Sequence, residues 1–102
     1  MSRLVKVADK TELSEGLGKV VRVEGRSIAL FRIKEGYYAT ANTCLHRGGP
    51  LGEGSLTEGV VTCPWHGWKF DVRTGSFTVI PTLKVVTYKV KEQDGSLMVE
   101  IP

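Results

Sequence analysis

Two short motifs carry all of the metal-binding chemistry this sequence offers. The first reads Cys44-Leu45-His46 and runs on through Arg47-Gly48-Gly49-Pro50; the second reads Cys63-Pro64-Trp65-His66-Gly67-Trp68. The chain has two cysteines and two histidines, and each motif takes one of each. Two thiolates and two imidazoles form a soft donor set that suits zinc or an iron–sulfur cluster. Zinc places all four ligands on one ion, and its common pairs leave two or more residues between ligands, so C-x-H is tight for it. A two-iron cluster asks for two protein ligands per iron. Two loops, each giving one Cys and one His, meet that demand if the thiolates share one iron and the imidazoles the other. The plain alternative is one disulfide, against which stand a reducing cytosol and a His within three residues of each Cys.

No other constellation competes with these motifs. With every Cys and His assigned to metal, no Cys-His or Ser-His nucleophile remains. Asp71 and Glu53 are single carboxylates without a second member, which excludes acid–base catalysis by a carboxylate pair. Gly48-Gly49-Pro50 and Gly52-x-Gly54 lack the downstream helix of a phosphate cradle and read as loop turns. Trp65 and Trp68 fit either shielding of the site or plain packing, and Arg47 reads as solvated. The formal charge of +3, from 14 basic and 11 acidic residues, looks scattered along the chain without a basic run. That pattern is weak evidence for a nucleic-acid interface and reads as a solvated face, so no nucleic-acid partner is expected.

Twelve glycines cut the chain into short pieces rich in Val, Ile, Thr, Tyr and Phe, which predicts an all-β fold with tight turns. Strands are expected at Arg3–Ala8, Lys19–Glu24, Ser27–Lys34 and Tyr37–Asn42, the last delivering the chain to Cys44. Asp9 to Glu15 predicts one helical turn ended by Gly16 and Gly18. Short strands at Ser55–Leu56 and Val60–Thr62 follow, and the second feeds Cys63. Each motif thus leaves a strand and turns on glycine, as a scaffold does when it presents ligands at fixed geometry. Lys69–Val72 and Ser76–Thr78 read as a hairpin about Arg73-Thr74-Gly75. Pro81 interrupts the pattern, since it cannot donate to a central ladder. Val85–Lys91 and Ser96–Ile101 form a last hairpin, in which Leu97, Val99 and Ile101 share one face.

A chain of 102 residues without repeat, linker or low-complexity segment reads as one domain over 1–102. Charged residues at 25% and hydrophobic ones at 41% are ordinary for a soluble globular protein. No run of about eighteen apolar residues exists to span a membrane. The first residues alternate charge and apolar side chains, unlike a signal peptide, which makes the cytoplasm the expected location.

The paired motifs, with Lys69-Phe70-Asp71 continuing the second, resemble the Rieske family, in particular the ferredoxins of bacterial ring-hydroxylating dioxygenases. The resemblance covers the whole chain. It implies a Rieske fold, an antiparallel β-sandwich with a small cluster-binding subdomain over about 43–70. It also implies one 2Fe–2S cluster ligated by Cys44, His46, Cys63 and His66, and a proline loop at Ile80-Pro81-Thr82 over the cluster. Respiratory members carry an extra disulfide, whose positions here are Gly49 and Trp65. Their serine and tyrosine that donate hydrogen bonds to sulfur are here Trp68 and Phe70.

The function implied is that of a soluble one-electron carrier, not itself an enzyme. Its implied partners are a flavin-dependent reductase upstream and a terminal oxygenase downstream. Two other readings stand beside it. An integral Rieske subunit of a larger redox enzyme, such as a nitrite reductase, would show a broad exposed apolar face. A zinc-stapled β module would be colourless. Fewer hydrogen bonds to sulfur stabilise the reduced cluster less, so a redox titration should give a midpoint near the low end of the Rieske range, about −150 mV. A midpoint well above zero would contradict this reading.

Overall fold

The computed structural model describes residues 3–44, 49–65 and 67–102. Among them every strand pairing is antiparallel, and the strands form three sheets. The first sheet joins β1 (Arg3–Asp9), β10 (Ser96–Ile101) and β9 (Val90–Gln93), in that order. The second runs β2 (Leu17–Val23), β3 (Arg26–Ile33), β4 (Gly36–Ala41) and β8 (Thr87–Tyr88). The third is the small sheet of β5 (Ser55–Thr57), β6 (Val60–Thr62) and β7 (Lys69–Asp71). The all-β expectation holds.

Strand β3 explains how the layers stack. Successive side chains of a strand point to opposite faces. Ile28 and Leu30 face a core built with Val21, Val23, Leu97, Val99 and Ile101, which joins the first two sheets. Ala29, Phe31 and Ile33 face the other way, into a core with Leu51, Val61, Phe70, Val72 and Phe77, and both cysteines belong to that core. The central strand is therefore buried on both sides, and the small sheet, whose β6–β7 connection is the second motif, packs on its second face.

Several elements differ from expectation. The turn after β1 is a 3-10 helix at Lys10–Glu12, where the Glu12 carboxylate accepts a hydrogen bond from the Asp9 N–H at 2.8 Å. Gly18 lies inside β2 rather than ending a helix, and it faces the Phe31 ring so closely that a Cβ would sit 2.9 Å away. Ser76–Thr78 is no full strand. Phe77 and Ser76 make single bridges to Phe70 and Lys84, because the chain then turns through a Leu83 N–H to Ile80 O bond of 2.9 Å. Val85–Lys91 divides in two: β8 pairs with β4, β9 pairs with β10, and the chain changes sheets at Lys89. Hydrophobic alternation cannot show such a change, because the side-chain period runs through it unbroken.

Arg73, in the turn after β7, ties the small sheet to the middle one. Its guanidinium donates to Glu35 Oε2 from Nε at 2.9 Å and from Nη2 at 2.6 Å, to Asp71 Oδ1 at 3.2 Å and to the Glu58 carbonyl at 3.3 Å. The hydrogen bonds from Arg73 hold the Glu35 carboxyl below the usual carboxylate range, and Glu35 in turn raises the Arg73 guanidinium. Folded Glu35 therefore binds its proton less readily than unfolded Glu35. Its contribution is complete above the ordinary carboxylate range and is lost as pH falls through the lowered value. The pair is exposed, so the contribution is small and salt-sensitive. Urea midpoints of the wild type and Glu35→Gln should differ at neutral pH and converge as pH drops through the carboxylate range.

Candidate metal centre

The two motifs form loops closed in the same way. The Cys44 N–H donates to the Gly49 carbonyl at 2.9 Å, and the Cys63 N–H donates to the Trp68 carbonyl at 2.7 Å. Each bond spans five residues from its cysteine and returns the chain to where it left. The first loop is fixed further by a bridge between Thr43 and Pro50, the second by the Gly67 N–H on the Cys63 carbonyl at 3.0 Å. Gly67 has φ of +75°, in the left-handed region that glycine adopts without strain.

Both cysteines are buried, Cys44 at 2% and Cys63 at 1% exposure, and no disulfide joins them. His46 and His66, the other two expected ligands, lie outside the described residues, as does Arg47. Among the described residues no three of the Cys, Asp and Glu side chains gather in one place. The loops touch at Gly49. A Cβ there would lie 2.7 Å from Cys63 Sγ and 3.1 Å from the Trp65 ring, so only glycine fits. Gly49 and Trp65 are thus in contact and joined by packing.

Two buried thiols outside a disulfide, at the heads of touching loops, suit a soft metal group held at the edge of a hydrophobic core. Their surroundings are apolar and aromatic. The Trp68 ring stacks on Phe77 at 4.1 Å and 6°, and Phe70 is tilted against Phe77 at 5.6 Å. Trp68 therefore packs, half-buried, whereas Trp65 is 58% exposed. Asp71 is engaged by Arg73, and Glu53 stands exposed on the 3-10 helix Leu51–Glu53.

One supporting residue had no sequence signal. Buried Asn42 accepts the Gly52 N–H at 2.7 Å and donates to Ser27 Oγ at 3.3 Å, locking the chain on the far side of the first loop to β3. An Asn at a strand end before a glycine-rich loop is too common to single out. Gly52 sits so near Val20 that a Cβ would meet its methyl at 2.6 Å, so that segment lies flat on β2.

Comparison with known proteins gives the class and the family of this fold. The Rieske [2Fe-2S] domain family matches residues 3–91. The ferredoxin component of a naphthalene 1,2-dioxygenase system from Pseudomonas aeruginosa is 35% identical over 91 residues, 88% of this chain and 88% of that protein. The ferredoxin of carbazole 1,9a-dioxygenase from Nocardioides aromaticivorans IC177 superposes with a TM-score of 0.86 at 31% identity, covering 94% of this chain and 95% of that one. A chain in a complex of reduced oxygenase and oxidised ferredoxin of carbazole 1,9a-dioxygenase gives 0.84 at 32% identity, covering 94% and 91%. This chain belongs to the Rieske family.

Replacing Gly49 by Ala forces a methyl between the loops, and such overpacking costs about 1–3 kcal/mol. Thermal unfolding of Gly49→Ala should show that loss; an unchanged melting temperature would mean that the loops do not touch there.

Proposed function

We propose that this protein is a soluble one-electron carrier that passes electrons from a flavin-dependent reductase to a terminal oxygenase and performs no catalysis itself. Its cluster would be held by Cys44 and Cys63 at one iron and by His46 and His66 at the other, within a segment of about 43–70 of a single domain spanning 1–102. The observation that carries this reading is the pair of buried cysteines, free of a disulfide, at the heads of two identically closed loops in contact at Gly49. When bound, the cluster supplies a centre that takes up and gives back one electron.

The chain's own residues hold and shelter that centre. Cys44 and Cys63 present sulfur from the core, where Leu51, Val61 and Phe70 exclude water. The closing hydrogen bonds of the two loops fix the backbone at Cys44 and Cys63, where each motif begins. Phe70, fully buried and lacking a hydroxyl, gives sulfur no side-chain donor, in keeping with a low potential.

The relatives support the carrier reading over a fixed subunit, because proteins of nearly this chain's span are themselves named as ferredoxins. The partner assignment follows the oxygenase in the carbazole complex and the dioxygenase system of the naphthalene relative. No helix among the described residues is long and apolar enough to cross a membrane. We assign the protein to the cytoplasm, where thiols stay reduced for metal.

Anaerobically purified protein should contain about two irons and about two acid-labile sulfides per chain and give a paramagnetic resonance signal after dithionite reduction. Cys63→Ser and His66→Ala should each abolish both. Colourless protein containing zinc, or full signal in either variant, would overturn the assignment.

A further inference from the structure

Seven large hydrophobic side chains are exposed among the described residues, and four of them follow one another in 79–86. They are Val79, Ile80, Leu83 and Val86, with Val79 at 75% and Val86 at 62% exposure. A fifth, Trp65, stands on the second motif loop. The strap that carries the four is anchored on both sides. Thr78 N–H donates to the Lys69 carbonyl at 2.9 Å, Phe77 N–H to the Leu83 carbonyl at 2.8 Å, and Ala41 N–H to the Val86 carbonyl at 2.8 Å. Phe77, at its root, stacks on Trp68 and so fixes the strap beside the second loop. Aliphatic side chains held outward by a pinned backbone leave apolar surface in solvent, most of it at Val79 and Val86, and exposed apolar patches mark contact sites.

The charge is less evenly spread than it first reads. Residues 60–91 hold five of the 14 basic side chains and one of the 11 acidic ones, leaving 9 basic against 10 acidic elsewhere. That one acid, Asp71, is already paired with Arg73. Lys69 and Lys84 flank the root of the strap, one through the Thr78 bond and the other through its bridge to Ser76. Both are exposed, and neither is ion-paired among the described residues.

We infer that the strap 79–86, with Lys69 and Lys84 at its root, docks a redox partner whose contact face is apolar at the centre and acidic at the rim. The inference rests on the carrier function above and adds the chemistry of the partner. A few aliphatic side chains with a cationic border fit a brief encounter rather than the large apolar face of a permanent subunit.

Two protein probes of opposite charge test it: acidic flavodoxin, reduced, as electron donor, and basic cytochrome c as acceptor. Between about 0.01 M and about 0.3 M ionic strength the rate with flavodoxin should fall and that with cytochrome c should not. Lys69→Glu with Lys84→Glu should lower the low-salt flavodoxin rate about tenfold. Arg22→Glu, on β2 at the opposite edge of the middle sheet, should leave it unchanged. Val79→Ser with Val86→Ser should slow flavodoxin about threefold even at high salt, where charge is screened. Carbodiimide coupling of oxidised flavodoxin, which joins lysine amines to carboxylates, should map to Lys69 and Lys84. A rate with flavodoxin that rises with salt, cross-links confined to lysines elsewhere, or cross-links only between copies of this chain would each overturn the docking face. Protein inert toward both probes would instead mean that the carrier function itself is wrong.

Discussion

Everything in this molecule depends on one strand being wanted by two cores. β3 gives Ile28 and Leu30 to the base and Ala29, Phe31 and Ile33 to the layer that carries the motifs. Each fully buried aliphatic or aromatic side chain contributes about 1.5–3 kcal/mol, and a chain this small has few of them to set against the entropy of ordering it. Sharing the strand lets both layers draw on one already ordered backbone. It also means that the motif layer cannot shift without disturbing the base.

Against that frame the two loops are held by economy of contact rather than by covalent links. Each is shut by a main-chain hydrogen bond from its cysteine and braced at a flank: Asn42 holds the segment beyond the first loop, and the Trp68–Phe77 stack braces the second. Gly49 and Trp65 meet by packing alone. A packed indole can separate where a covalent bond cannot, so this arrangement leans more heavily on the bound metal to keep the loops together.

The motif chemistry was legible in the sequence because its donors are rare types found nowhere else in the chain. Strands β1 to β7 and β10 were legible because their alternation and glycine turns are local signals. What stayed hidden is non-local. The change of sheet at Lys89 depends on what lies beside the chain, not on its side-chain pattern. The reach of Arg73 to Glu35 and to the Glu58 carbonyl joins three separate turns. The strap after Phe77 was marked in the sequence only by the break at Pro81; that Val79, Ile80 and Leu83 face outward is set by the fold.

The pairing of β1 with β10 has a consequence for the newborn chain. Arg3 lies opposite Ile101, so the base sheet joins the two most distant described segments. While the ribosome is still making the intervening residues, Val21, Ile28 and Leu30 have no Leu97, Val99 or Ile101 to cover them. That core therefore stays uncovered on one side until β10 has been made, and long-range strand closure of this kind is slow. The nascent protein passes through a sticky interval, in which a chaperone that shields greasy surface has most to offer.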